Sequence, residues 1–169
     1  MLESWPLELL DADGYPAESG GSYYENALGK ARYGRTVAGD AWVLGEDSGL
    51  EVDGLEGRPG IESARFGGDE PVERLLAELR GIEGDKRRAR YVCELVGLAP
   101  GGEEVRGTGV LEGWIADEPR GSEGFGYDPI FVPDGEELTV AELGNEWKAE
   151  NSHRARAARD FLRALTARA

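Results

Sequence analysis

The spacing of hydrophobic and polar residues predicts a chain in which helices and strands alternate. Apolar residues recur at helical spacing in three segments, which begin after Ser22, at Pro71 and at about Ser152. The predicted strands cover residues 7–10, 41–45, 90–98, 103–116 and 129–132. The Pro-Gly-Gly turn at 100–102 predicts an antiparallel hairpin. This mixture is typical of one α/β or α+β domain, and no shift in composition along residues 1–169 indicates a second.

The first predicted helix has clear ends and a polar flank. Ser22 and Glu25 have the spacing of a capping box at its start, and Gly39 follows its end. Asn26 and Lys30 are four residues apart and therefore share one flank of this helix.

Composition and charge exclude several classes of function. The formal charge of −15 argues against a polynucleotide partner, because a protein that grips a phosphate backbone needs clustered Lys and Arg. No apolar run reaches the length of a membrane-spanning helix, and no signal peptide is visible, so we expect a soluble, cytoplasmic protein. The single cysteine, Cys93, lies in an apolar run, and we expect it to be a small core residue.

The candidate chemistry begins with two adjacent carboxylates, Glu46 and Asp47, between an apolar run and a glycine-rich block. Adjacent residues of a regular strand point to opposite faces, so only a break at residues 48–49 would bring both to one site. Carboxylates at such an edge suit Mg²⁺, a hard cation that keeps several waters and meets substrate phosphates. The alternative is a solvated acidic turn in an acidic protein.

Two further features have a functional and a structural interpretation. Lys30 is one of three lysines, and it either supplies a point charge to a phosphate or faces solvent, as helical lysines usually do. In the segment 124–129, Phe125 and Tyr127 flank a glycine and could stack on a planar ring, with an acid beside them to accept hydrogen bonds from ring nitrogens. The alternative is an aromatic-rich turn that packs on the core.

The last feature is Lys148, which is followed by Ser-His-Arg at 152–154. Cations in the first turn of a helix oppose the helix dipole, so their placement there indicates a partner outside the helix. Ion pairs with the nearby Glu146 and Glu150 are the alternative explanation.

Taken together and in this order, these motifs closely resemble the inosine triphosphate pyrophosphatase family, which is also called Ham1-like. The motifs that carry the resemblance are residues 18–20, 25–32, 46–50, 59–60, 63–65, 119–121, 124–131, 141–143, Lys148 and 152–154. The ordered set covers most of the chain, and it is far harder to obtain by chance than any one motif.

The resemblance implies an α/β fold with an elongated mixed sheet flanked by helices, in a homodimer. It also implies hydrolysis of ITP, dITP and XTP to the monophosphate and pyrophosphate with Mg²⁺. Carried over by motif, Asp47 is the expected general base, and the expected metal ligands are Glu18, Glu46 and Asp47. The expected substrate contacts are Lys30 and Ser48 at the phosphates, Arg65, and, at the base, Phe125, Gly126, Tyr127, Asp128, Lys148, His153 and Arg154.

One part of the family pattern has no counterpart in residues 1–10. Members normally begin with a strand, a Ser/Thr-x-Asn-x-x-Lys loop that grips the triphosphate, and a helix. The resemblance therefore predicts a chain that is truncated at its N-terminus relative to the family, or whose true start lies upstream. Two rival hypotheses follow. One is a catalytically impaired nucleotide-binding or dimerisation homologue that has lost this loop, and the other is an unrelated Mg²⁺-dependent phosphohydrolase.

Overall fold

The computed structural model describes residues 7–10 and 18–168, and in these residues it contains four α-helices and five β-strands. The helices are Tyr23–Val37 (α1), Pro71–Glu78 (α2), Val140–Asn151 (α3) and His153–Thr166 (α4). The strands are Val43–Val52 (β1), Pro59–Gly60 (β2), Arg88–Leu98 (β3), Glu104–Ile115 (β4) and Phe131–Pro133 (β5). None of the described helices is long and apolar enough to cross a bilayer.

The five strands form one antiparallel sheet in the order β2-β1-β3-β4-β5. The register pairs Leu50 with Gly60 at one edge and Trp114 with Val132 at the other. The predicted hairpin is confirmed, because the turn between β3 and β4 is closed by a 2.9 Å hydrogen bond from the Ala99 N–H to the Glu103 carbonyl. The predicted α/β class is confirmed as well.

The chain divides into two compact units. The first consists of residues 1–48, 93–109 and 153–169, and the second consists of residues 49–92 and 110–152. The strands β1, β3 and β4 contribute residues to both units.

In the first unit, helices α1 and α4 approach the strands at glycines. A Cβ built on Gly45 would lie 2.0 Å from the Ala27 carbonyl oxygen of α1. A Cβ built on Gly109 would lie 2.0 Å from the carbonyl oxygen of His153, the first residue of α4. These distances are far below van der Waals contact, so only glycine lets either helix backbone come this close. Glycine at these two positions therefore sets how closely α1, which carries Lys30, and α4, which carries Arg154, pack on the strands.

The core of the second unit is larger than either of the buried clusters in the first. It is built from side chains of β1, β3, β4, β5, α2 and α3 together with the loops between them, and its fully buried members include Leu50, Leu75, Ile115, Ile130 and Phe131. The Tyr91 ring lies 4.7 Å from the ring of Phe131 in a tilted arrangement. This packing anchors the segment that precedes β5, where the aromatic candidate residues lie.

Some predicted elements differ from the structure. β1 does not end at residue 45 but continues to Val52, because Leu50 and Val52 are fully buried and extend the apolar pattern. The strand predicted at 7–10 is wrong: this segment has no regular structure and Leu9 is 97% exposed. An apolar run gives a strand only where a neighbouring strand accepts its backbone hydrogen bonds. Helix α3 was not predicted, although Thr139 and Glu142 form its capping box.

Candidate active site

The candidate active site is centred on Asp47, which lies on β1 and is only 5% exposed. Its two carboxylate oxygens have different partners from α1. Lys30 Nζ donates to Oδ1 at 2.7 Å, and Asn26 Nδ2 donates to Oδ2 at 3.2 Å. A buried carboxylate needs such partners because burial without them is strongly unfavourable. Here they fix the position of the side chain from both sides.

Lys30 does not face solvent. Its ammonium also contacts Glu18 Oε1 at 2.6 Å and donates to the Glu46 carbonyl at 2.9 Å, so three oxygens surround its three N–H groups. The structure therefore brings the predicted residues Glu18, Lys30 and Asp47 together. The solvent-facing alternative for Lys30 is wrong.

The charges of this cluster change the pKa values of its members. Burial raises the pKa of Asp47, and the hydrogen bonds from Lys30 and Asn26 offset this only in part. Burial alone would lower the pKa of Lys30, but the hydrogen bonds and charges of Asp47 and Glu18 outweigh it and raise this pKa. Lys30 therefore stays charged, and the raised pKa of Asp47 makes its carboxylate a stronger proton acceptor.

Asn26 belongs to the site, although no role is predicted for it from the residue pattern. It is 4% exposed, and its Oδ1 accepts a 2.9 Å hydrogen bond from the Gly20 N–H. Because the Gly20 N–H is a donor, the amide oxygen must face it, and the amide NH₂ must face Asp47. The sequence held two weak signals for Asn26: the four-residue spacing to Lys30, which any pair one turn apart on a helix can have, and its place in the motif 25–32, which carried no role for this residue.

The two adjacent acids lie on opposite faces of β1. The strand has no break at residues 48–49, so Glu46 and Asp47 alternate as regular strand residues do. Asp47 faces α1, whereas Glu46 and Ser48 contact Arg154 of α4. The break that would bring both acids to one site is absent, and the role of Glu46 as a metal ligand stays a prediction.

The donor set at Asp47 fits Mg²⁺ better than a metal that needs a complete protein cage. No group of three or more His, Cys, Asp or Glu side chains that could hold a metal exists among residues 7–10 and 18–168. Mg²⁺ is usually held by one or two carboxylates, with waters and substrate phosphates completing its shell. Glu18 and Asp47, which already share the ammonium of Lys30, are two such carboxylates.

Cys93 is a buried residue beside this site and is 1% exposed. Burial, together with the nearby Glu46, raises the pKa of its thiol far above the usual range. We therefore expect native protein at pH 8 not to react with Ellman's reagent and to release one equivalent of thiolate chromophore after unfolding in guanidinium chloride. Rapid reaction of the native protein would contradict this expectation.

In the second unit, the predicted aromatic segment is organised by Asp128, which is 2% exposed. Its Oδ2 accepts a 2.8 Å hydrogen bond from the Phe125 N–H and a short one from Lys148 Nζ. The Lys148 ammonium also lies 3.6 Å from the centre of the Phe125 ring. Phe125 is itself 62% exposed, whereas Tyr127 is 4% exposed and belongs to the core cluster, so the packed-turn interpretation holds for Tyr127 and not for Phe125.

Two tyrosines support this segment. Tyr127 is buried and donates to the Ser63 carbonyl at 3.0 Å, and the adjacent Gly126 has a φ of +61°, in the left-handed region that favours glycine. Tyr91, for which no role is predicted from the sequence, donates to the second oxygen of Asp128 at 3.5 Å. No sequence motif marked Tyr91, because its strand position is that of an ordinary core residue.

Burial raises the pKa of Tyr127 to about 12. The folded protein thus holds this proton more tightly than the unfolded chain, whose tyrosine titrates near 10. The stabilising contribution is complete below the unfolded pKa and is lost as pH rises through the folded one. We therefore expect Tyr127→Phe to be less stable than wild type at pH 9 in urea unfolding, and the difference to shrink at pH 11. An equal difference at both pH values would contradict this.

The remaining predicted contacts lie in different units. Arg65 is exposed in the second unit and lines a cavity of about 360 Å³ with Phe66 and Arg74. Lys148 is also in the second unit, whereas His153, which is buried, and Arg154 begin α4 in the first.

In this chain of the α/β class, the first unit thus holds a buried acid between a lysine and an amide, and the second holds an exposed aromatic ring beside a second lysine. The Ham1 family model matches residues 2–164, and the chain belongs to the Ham1 family.

Curated relatives and solved structures agree with this membership. The chain is 44% identical to the dITP/XTP pyrophosphatase of Bdellovibrio bacteriovorus, over 88% of this chain and 77% of that protein. It is 43% identical to the dITP/XTP pyrophosphatase of Bacillus subtilis, over 89% of this chain and 78% of that protein. The Ham1 protein of Staphylococcus aureus superposes with a TM-score of 0.81 at 37% identity, over 90% of this chain and 80% of that one. The nucleoside-triphosphatase / dITP/XTP pyrophosphatase of Mycobacterium abscessus superposes with a TM-score of 0.73 at 41% identity, over 95% of this chain and 80% of that one.

Proposed function

We propose that this protein hydrolyses dITP, XTP and ITP to the nucleoside monophosphate and pyrophosphate. The observation that carries the proposal is the buried carboxylate of Asp47, held by Lys30 on one oxygen and by Asn26 on the other. Membership of the Ham1 family and the names of the curated relatives support the choice of substrate. The family match extends over both compact units, which supports one catalytic domain.

Asp47 is the general base in this proposal. It takes a proton from the water that attacks the α-phosphorus, and pyrophosphate leaves. The carboxylate can do this because Lys30 and Asn26 hold it in place, and because burial raises its pKa and so makes it a stronger proton acceptor.

Mg²⁺ is the proposed cofactor, and Glu18 and Asp47 are the residues that would hold it. When bound, it would offset negative charge on the triphosphate. Lys30 supplies the permanent positive charge beside these two carboxylates, and Ser48 is the further proposed phosphate contact.

Selection of the purine is proposed to come from hydrogen-bond donors. Hypoxanthine and xanthine carry a 6-oxo group, which accepts from Lys148, His153 or Arg154, whereas adenine presents a 6-amino donor that these groups repel. Phe125 offers an exposed ring face for stacking. Guanine also has a 6-oxo group, and its exclusion requires that the 2-amino group be left unpaired on burial, which costs about 1–3 kcal/mol.

The direct test is pyrophosphate release by the 169-residue chain, with Mg²⁺, from dITP, XTP, ITP, ATP and GTP. We expect release from the first three and at least about tenfold lower kcat/KM for ATP and GTP. No release from any of them, with retained binding of XTP in calorimetry, would instead support the impaired nucleotide-binding homologue. Equal release from all five would contradict the proposed purine selection.

We further propose that the protein acts on free nucleotides in the cytoplasm as a homodimer. The negative charge of −15 disfavours a polynucleotide substrate and leaves a small nucleotide with its cation as the suitable ligand. Sedimentation equilibrium should give twice the mass of the chain. A single species with the mass of one chain would reject the dimer without affecting the proposed activity.

A further inference from the structure

The guanidinium of Arg154 contacts two alternating residues of β1. Its Nε donates to Glu46 Oε1 at 3.0 Å, and its Nη2 donates to Ser48 Oγ at 2.9 Å. Residues two apart on a strand lie on the same face, so one planar fork can reach both. The geometry links an acid, an arginine and a hydroxyl in a row on the face opposite Asp47.

Arg154 needs an acidic partner at this position. It is the second residue of α4, where the positive end of the helix dipole disfavours a cation. Glu46 supplies the compensating charge, and the same oxygen also accepts a contact from the Cys93 thiol at 3.5 Å. The carboxylate of Glu46 therefore faces Arg154 and Cys93, a residue of β3.

We propose that Glu46 is a positioning residue, not a metal ligand: it holds the guanidinium of Arg154 beside Ser48, so that the nucleotide meets a preformed pair of donors. Because Ser48 Oγ accepts from Arg154, the hydroxyl proton of Ser48 is left to donate to another acceptor. Phosphate and carbonyl oxygens are such acceptors. This inference rests on the proposed nucleotide substrate.

The test compares Glu46→Gln, Arg154→Met and the double variant. The ligands are α,β-methylene-ITP, measured by calorimetry, and Mn²⁺ in place of Mg²⁺, measured by electron paramagnetic resonance. We expect Glu46→Gln to weaken nucleotide binding about tenfold and to leave the Mn²⁺ affinity unchanged. In the Arg154→Met background, Glu46→Gln should have no further effect, because its role acts through Arg154. The proposal would be overturned if Glu46→Gln lost affinity for Mn²⁺. It would also be overturned if Glu46→Gln weakened nucleotide binding equally in wild type and in Arg154→Met.

Glu51→Gln is the matched control. Glu51 lies on the same strand and pairs with Arg90 at 2.7 Å. The substitution Glu51→Gln therefore removes a similar ion pair at a position with no proposed role. This variant should retain wild-type binding of both ligands. Circular dichroism and the melting temperature establish that each variant is folded.

A second readout separates this inference from the proposed function. In ligand-free protein, the Nε–H resonance of Arg154, assigned by its loss in Arg154→Met, should show a restrained heteronuclear NOE in wild type and a mobile one in Glu46→Gln. An unchanged NOE would overturn the positioning role even if the protein hydrolyses dITP. A restrained wild-type signal without any pyrophosphate release would retain the positioning role and reject the activity.

Discussion

Replacing Asp47 by asparagine is expected to reduce pyrophosphate release by at least about a thousandfold, because the reaction loses its general base. The variant also disturbs the hydrogen bonds of the site. Asp47 accepts from Lys30 on one oxygen and from Asn26 on the other, so an asparagine NH₂ must face one of these donors. Asn26 cannot turn its oxygen toward this NH₂, because its own oxygen is held by the Gly20 N–H. We therefore expect a small drop in melting temperature with the fold retained.

The measurement is kcat for XTP in wild type and Asp47→Asn, with circular dichroism on both. Asp53→Asn is the control, since Asp53 is an exposed acid that directly follows β1. It should retain wild-type turnover. An Asp47→Asn protein with more than about a tenth of wild-type activity would refute the assignment of Asp47 as the base.

Gly45→Ala is expected to have the largest effect on stability, about 3–5 kcal/mol in the free energy of unfolding. The added Cβ would lie 2.0 Å from the Ala27 carbonyl oxygen and 2.6 Å from the Ala31 N atom, both backbone atoms of α1 that cannot turn away. Helix α1 must therefore move off β1. Because α1 carries Lys30 and Asn26, the folded fraction of this variant should also lose activity.

Gly29→Ala provides a control of the same chemical size. Gly29 lies inside α1, and a Cβ built there meets nothing within 4 Å, so the change only improves helix propensity. Urea unfolding should show that it stabilises the protein by about 0.5–1 kcal/mol. A Gly45→Ala protein as stable as wild type would mean that α1 does not contact β1 as described.

Sequence patterns predicted the elements whose ends are marked by local chemistry. Helix α1 begins one residue after Ser22, whose hydroxyl accepts from the Glu25 N–H, and α2 begins at Pro71, as predicted. The length of β1 was underestimated because the glycines after residue 45 suggested a bend. At Gly45 the glycine serves the close approach of a helix, and this depends on a neighbour that the local sequence does not reveal.

In the candidate site, too, residues marked by the local sequence were predicted, and residues that depend on a distant neighbour were not. Asp47 was predicted from its place between an apolar run and a glycine-rich block, and the role of Lys30 from the resemblance to the Ham1-like family; the structure brings both together with Glu18. Asn26 and Tyr91 were missed because each has a role only through a residue distant in sequence. Their contacts are with Asp47 and Asp128, which lie 21 and 37 residues further along the chain.

The alternation of Glu46 and Asp47 on β1 makes the strand sensitive to a change in its length. Deleting or inserting one residue between Val43 and Glu46 would rotate every following side chain to the other side of the sheet. Lys30 would then meet the glutamate and Arg154 the aspartate, each with a side chain of the wrong reach. Active proteins with these two adjacent acids on this strand should therefore have the same number of residues between the positions of Val43 and Glu46, even where the residues themselves differ.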